Sequence, residues 1–409
     1  MEICKKKVAI VIIRDALYGA FELPTFLNAL VTAPEFRRLS EVRLININSI
    51  TLSALADVRR YSHTLGTLRL AIGNPLANLG EDEHRAFLAC VIVHDIGTPA
   101  FAHLFEYFLL DQFNWDHETV VPLILRREYH PDAASHQIYR SQIPQFEALC
   151  RKARVDFDLV LAILEGKHPA SRLIFGSLDF DNIDNVARMN WMLGHRFDTE
   201  RMISLASGLG VRGDTPLLLP KAQKPNVELW AELRRKAYDV LVFDGPPVAG
   251  QAVLSAAISE ALADNVIATE DWYHPDADLI KIIRDNSPKG KQRLDRDFFG
   301  TVPELMMISH LKEHSHPLQH VSRESVIGLI EEFLYQRLNA KRAYGYCLRD
   351  RGTFEKQIDA VDPENGDAWT VGSRSDSLIV YGFAKRCRRA ATPDMLGNEF
   401  VEWSERKLC

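Results

Sequence analysis

The apolar positions along the chain change their period early. The run "KVAIVIIRDALYGAFELP" holds two β-rich stretches around a turn at Tyr18 and Gly19, and this predicts an N-terminal hairpin. From Thr25 onward helical spacing takes over. In "PTFLNALV", Phe26, Leu27 and Leu30 share one face, with Pro24 near the start. The run "RAFLACVIVHDIG" predicts a mostly buried helix. Phe87, Val91, His94 and Asp95 fall on one side at i, i+4, i+7 and i+8, and Gly97 is a stop signal. The same periodicity predicts helices over 157–165, 182–193, 227–242, 251–262 and 325–339. Strand signals are sparse after residue 50, apart from "DSLIVYGF" near the C-terminus. Two Pro/Gly/Asp-rich stretches, "DNSPKGKQ" (285–292) and "DPENGDAW" (362–369), read as linkers or long loops. The expectation is a mainly α protein. A helical bundle with an N-terminal β-hairpin fills residues 1–285, and a smaller α+β region of unassigned role fills 286–409.

Composition narrows the class. The 409 residues are 46% hydrophobic and 25% charged, as in ordinary globular proteins. The net charge of −6 gives no global basic character, so nucleic acid is not the favoured partner. The basic cluster "KRCRR" (385–389) reads first as a solvated face. Six cysteines (4, 90, 150, 347, 387 and 409) include no CxxC pair, which suits a reducing cytoplasm better than a disulfide framework. The start "MEICKKKVAIVIIRD" mimics a signal peptide, but its apolar run is short and meets Arg14 and Asp15. Nowhere does the sequence offer the roughly 20 apolar residues of a membrane span.

Four places carry metal-type chemistry: His63 in "RRYSHTLG", the pair His94-Asp95, His117 and Glu118 in "WDHE", and Asp181 in "DFDNIDNVAR". Imidazoles with carboxylates suit Mn²⁺, Fe²⁺, Ni²⁺, Co²⁺ or Zn²⁺, or Mg²⁺ with fewer imidazoles. An ion with an open position activates water near neutral pH. Asp181, Asp184 with Asn185, and Arg188 lie on one helical stripe, and Arg188 is placed there to fork onto phosphoryl oxygens. Each feature also has a plainer reading. His63 alone suits a hydrogen-bonded core histidine, Asp181 an N-cap, and Arg188 an exposed partner of Asp184.

The order of these motifs resembles the HD superfamily of metal-dependent phosphohydrolases, and within it the deoxynucleoside triphosphate triphosphohydrolase branch of the SAM-and-HD-domain type. "RDALYG" (15–19 within it) stands where that branch has a DPxHG hairpin, and "TAPEFRRLSEV" is similar to its TPxFQRLR helix start. "RYSHTLG", "HDIGTPAFAH", "WDHE" and "DNIDNVAR" then follow in the family's order, and "DWYHPDADLIKIIRD" resembles its later helical region. The resemblance covers roughly residues 8–285.

This resemblance implies that His63, His94, Asp95 and Asp181 bind a divalent metal. It implies a catalytic set of His117 as general acid or phosphate contact, His103 and Glu118, with Glu106 beside the α-phosphate and Arg60 on the phosphates. It also implies a nucleotide substrate and a homo-oligomer. The chain departs from the family at three positions. Thr98 replaces the second His of HDxGH, so acid catalysis falls to His117 or His103. Thr98 retains a hydrogen-bonding role near the substrate. Asn185 and Met189 stand where the family holds a Tyr and an Asp at the sugar. Three functions follow as expectations. The first is hydrolysis of (d)NTP to nucleoside and triphosphate. The second is a phosphodiesterase or nuclease acting on cyclic or short oligonucleotides. The third is a degenerate, nucleotide-sensing module. The histidine-rich "HLKEHSHPLQH" reads as an exposed polar segment.

Overall fold

The computed structural model describes residues 10–45, 52–76, 78–128, 145–213, 216–312, 316–351, 356–374, 376–385 and 391–408. The predicted hairpin is present: β1 (Val11–Asp15) pairs antiparallel with β2 (Gly19–Leu23), placing Asp15 opposite Gly19. The Asp15 carboxylate accepts the N–H groups of Leu17 and Tyr18 at 2.8 and 2.9 Å and so closes the turn.

Among the other described residues up to 290, helices dominate, with one short strand. The longer helices are α1 (Arg60–Ile72), α2 (Glu81–Val93), α3 (His103–Phe113), α4 (His117–Arg126), α5 (Phe146–Ala153), α6 (Phe157–Leu164), α7 (Phe180–Met192), α8 (Thr199–Ser207), α9 (Lys224–Phe243), α10 (Gly245–Ala263) and α11 (Asp276–Asn286). Helix α2 is the spine: every residue from Ala86 to Val93 is buried, as its unbroken apolar run requires. It packs on α1 and α6, while α7 packs on α1 and α9. The chain is mainly α, with small sheets besides the hairpin.

The C-terminal stretch holds the three-stranded antiparallel sheet β4 (Glu304–Leu311), β8 (Asp376–Ala384), β5 (Ala343–Arg351), in that order. Helices α12 (Arg323–Leu338) and α13 (Pro393–Leu408) accompany it. A second sheet joins β3 (Leu217–Leu218), β6 (Ile358–Val361) and β7 (Ala368–Val371). Side chains alternate across the main sheet. Tyr344, Tyr346, Ile379, Tyr381 and Phe383 extend the helical core, which also contains Trp230 and Trp272. Cys347, Leu378 and Val380 face a smaller core with Ile330, Leu334 and Phe400. Strand β8 is therefore buried on both faces, which explains why it alone shows as a continuous apolar run.

Several local expectations are corrected. "DNSPKGKQ" is not a loop: α11 runs to Asn286, and Ser287, fully buried, caps a further helix Pro288–Arg293 by accepting from the Gly290 N–H. "DPENGDAW" does hold the turn between β6 and β7, closed by Asp362 N–H donating to the Asp367 carbonyl. "HLKEHSHPLQH" is exposed at His310, Lys312 and His320 but not throughout. His310 lies in β4 and bonds Ser377, and His316 is buried at the start of a short 3-10 turn, while His314 lies outside the described residues. Lys385 of the basic cluster ion-pairs with the buried Asp297, and 386–389 lie outside the described residues. Cys90, Cys150 and Cys347 are free thiols, all buried; Cys4, Cys387 and Cys409 lie outside the described residues. Among the described residues no single helix is long and apolar enough to cross a membrane.

Candidate metal centre and active-site cavity

Helix α1 carries His63, the turn after α2 carries His94 and Asp95, and the first turn of α7 carries Asp181. One ligand atom from each of the four lies within 4.8 Å of the others. The orientation of each is set by a second contact. His94 Nδ1–H donates to the Val91 carbonyl at 2.8 Å, so Nε2 faces the cluster, 3.3 Å from Asp181 Oδ1. His63 Nδ1–H donates to Asp184 Oδ2 at 2.6 Å, and its Nε2 stands 2.6 Å from Asp181 Oδ1. Asp95 Oδ1 accepts from Arg60 Nη1 at 2.6 Å and from Thr98 Oγ1 at 3.2 Å. Its other oxygen, Oδ2, is buried with no hydrogen-bond partner and lies 3.6 Å from His94 Nε2 and 3.9 Å from His63 Nε2. A buried carboxylate oxygen without a partner is costly unless a cation meets it. Two imidazoles and two carboxylates, each ring fixed by an outer acceptor, fit a borderline divalent ion.

The helix N-cap at this point is Asp179, which accepts from Asn182 N–H at 2.7 Å. Asp181 is thus not a cap, and its carboxylate turns to the histidines.

Arg188 does not reach toward a ligand. Its fork binds both oxygens of Asp184 at 2.9 Å, and Nη2 also meets Asp15 Oδ2 at 3.0 Å, all of them buried. The sequence expectation of a phosphate-binding Arg188 is therefore corrected. It holds Asp184, which in turn holds His63. Gly66 makes room for this network, because a Cβ there would lie 2.0 Å from Arg188 Nη2.

A second group lies beside the first. His103 Nδ1 is 2.7 Å from Glu106 Oε2, and His117 Nδ1 bonds Glu106 Oε1. The loop leading to His103 holds Phe101 and Ala102 at φ of 60° and 49°, a conformation disfavoured for residues with a side chain. The Phe101 N–H donating to Asp276 Oδ1 at 2.9 Å anchors it. Gly97 lets this turn meet α4, since a Cβ would lie 2.4 Å from the His117 carbonyl. Arg38, from "TAPEFRRLSEV", ties the same turn to "DWY" by donating to the carbonyls of Thr98 (2.9 Å) and Trp272 (3.0 Å). Glu118 lines an adjoining groove with Leu123, Arg126 and Phe175; burial raises its pKa, and the neighbouring His117 charge partly offsets this.

The charges are strongly coupled to burial. Burial alone would lower the His63 pKa, but Asp181 and Asp184 more than reverse it, raising it to about 10. His117 follows the same pattern: burial lowers it, Glu106 raises it, and the result is about 9. Burial pushes Asp181 up, yet His63 and His94 hold it well below the usual carboxylate range. The sign for His117 follows from linkage. Its folded pKa exceeds the unfolded value of about 6.5, so its stabilisation is complete below that pH and is lost as pH rises through about 9. Chelator-treated protein is expected to lose about 3 kcal/mol of stability between pH 6 and 10 from this group, read by urea unfolding at each pH.

A cavity of about 390 Å³ opens beside both groups. Arg60, His103, Asn185 and Met189 line it, and Asn185 Oδ1 is buried without a partner. Thr98 is buried and bonded to Asp95, so its hydroxyl orients a cluster carboxylate. Residues with no motif in the sequence also reach the site. Tyr346, Arg349 and Tyr381 line the cavity, and Lys356 Nζ donates to Asn182 Oδ1 at 3.1 Å, next to Asp181. No local signal announces these four, because they come from the C-terminal strands and the stretch leading into β6.

No family model matches the sequence. A deoxynucleoside triphosphate triphosphohydrolase SAMHD1 homolog of Dictyostelium discoideum is 22% identical over 200 residues, 45% of this chain and 36% of that protein. An uncharacterized protein of Mycoplasma pneumoniae is 23% identical over 235 residues, covering 53% of this chain and 51% of that protein. The chain thus spans about a third to a half of the length of these curated relatives. Among solved structures, a phosphohydrolase of Bacteroides thetaiotaomicron superimposes with a TM-score of 0.64 at 15% identity, over 92% of this chain and 100% of that one. A hypothetical protein from Aquifex aeolicus gives 0.65 at 16% identity, over 97% and 100%. At these identities the structural likeness establishes a shared fold. The sequence and structure comparisons both include proteins named as phosphohydrolases, in agreement with the resemblance read from the motifs.

Proposed function

We propose that this chain is a metal-dependent nucleotide phosphohydrolase that splits (d)NTP into nucleoside and triphosphate. The observation that carries this reading is the convergence of His63, His94, Asp95 and Asp181 around the unpartnered Asp95 Oδ2, beside a cavity of small-molecule size. His63, His94, Asp95 and Asp181 would hold a divalent ion, which would supply charge neutralisation at the α-phosphate and lower the pKa of a bound water. The protein supplies the rest. Water adds to the α-phosphorus, the bond to the nucleoside 5′-oxygen breaks, and that oxygen takes up a proton. His117, with a pKa raised to about 9, is protonated at neutral pH, and Glu106 holds its Nδ1 so that the other ring nitrogen presents the proton. His103, exposed at the cavity edge, is the second imidazole on Glu106. Arg60 lines the cavity while it steadies Asp95. Thr98 cannot carry a proton, so its place in the proton-transfer set passes to His117.

Purified protein incubated with Mn²⁺ and a panel of dNTPs and NTPs is expected to release inorganic triphosphate. Release of no product from any nucleotide, with metal bound, would sink the proposal. Cleavage confined to cyclic or short oligonucleotides would instead favour a phosphodiesterase. Tight binding without turnover would favour a sensing module.

A further inference from the structure

We propose that the C-terminal sheet reads the nucleoside half of the substrate, with Tyr346 and Arg349 as specificity-determining residues. This rests on the nucleotide reading above. The cavity has walls of different chemistry. One wall, with Arg60 and His103, joins the metal centre through Asp95 and the histidine pair through Glu106. Another is made by Tyr346 and Arg349 of β5 and Tyr381 of β8, with Tyr107, Tyr238 and Gln251 from the helices. Four tyrosines around a small-molecule cavity suit a flat aromatic group, because aromatic faces stack on nucleobases regardless of sequence.

Two side chains give this wall direction. The Tyr346 hydroxyl donates to Gln251 Oε1 at 3.1 Å, which fixes the ring against α10. Arg349 donates through Nη2 to the Val321 carbonyl, while its Nε is buried with no partner. Guanidinium is donor-only, so the group that completes it is an acceptor, such as a base keto oxygen or ring nitrogen. The wall is also braced. Arg323 stacks 4.0 Å above Tyr107 and donates to the Cys347 carbonyl at 2.9 Å, linking α3 to β5. A triphosphate chain has no use for the tyrosine faces. With the α-phosphate at the candidate metal centre, as the proposed function places it, the nucleoside would lie in the aromatic part.

The test uses the metal-loaded full chain, titrated calorimetrically with deoxynucleoside triphosphate analogues whose scissile 5′-oxygen is replaced by methylene and, separately, with inorganic tripolyphosphate. Arg349→Met and Tyr346→Ala are expected to weaken nucleotide binding about tenfold or more while leaving tripolyphosphate binding within about twofold. Thermal melts of each variant check folding, and Arg349→Met, at a half-exposed position, keeps the test open if Tyr346→Ala unfolds. Equal weakening of both ligands would make Arg349 a phosphate site and overturn the proposal, as would unchanged nucleotide affinity. A wild type that binds tripolyphosphate but no nucleotide overturns the nucleoside reading alone. A wild type that binds neither overturns the proposed function itself.

Discussion

Asp181→Ala is expected to abolish stoichiometric Mn²⁺ binding and to lower nucleotide hydrolysis roughly 10³-fold, since a catalytic ion contributes several kcal/mol of charge stabilisation. The reason lies in position. Asp181 Oδ1 is the one oxygen within 3.3 Å of both His63 Nε2 and His94 Nε2 among the described residues, so its loss removes the bridge between α1, α2 and α7. Metal content by mass spectrometry and triphosphate release together check this. Retained metal with normal turnover would remove Asp181 from the centre. The same substitution removes a carboxylate that raises the His63 pKa, so metal-free Asp181→Ala protein is also expected to titrate His63 at lower pH, visible by NMR.

The second large effect concerns stability. Arg188→Met is expected to destabilise the protein by about 3–5 kcal/mol, because it leaves two buried carboxylates, Asp184 and Asp15, without their common cation. Urea unfolding with a shifted midpoint and an unchanged slope would show this. Metal affinity in the folded variant is expected to fall about 10–100-fold as well, since Asp184 orients His63. A fall in turnover with unchanged stability would instead return Arg188 to a direct role at the phosphates.

The hairpin, α2 and the predicted helices were legible because their signals are local. Turn residues at 18 and 19 close β1 onto β2, and buried faces repeat at helical spacing. Strands β4 and β5 were not legible. "ELMMISHL" and "AYGYCLRDR" show weak alternation, and only pairing with β8 makes them strands. The short helix at 288–293, which buries only Gly290, was hidden by Pro and Gly, which mark a helix start and a close approach to Ile283 there, not a linker.

The same division holds for the site. By itself the sequence determined which residue types are available and in what order: His63, His94 with Asp95, His117, and Asp181, of which His94 with Asp95 and Asp181 lie on or beside a helix that its own periodicity specifies. It also determined that Thr98 cannot transfer a proton. Only the tertiary structure decided who faces whom. It turned Arg188 inward to Asp184 and Asp15, gave the cap to Asp179 and left Asp181 to the histidines, and brought Tyr346 and Arg349 from the far end of the chain to the cavity. Residue chemistry is a local property. The direction of a side chain depends on how helices cross and which buried charge must be met, and those are settled by contacts between residues distant in sequence.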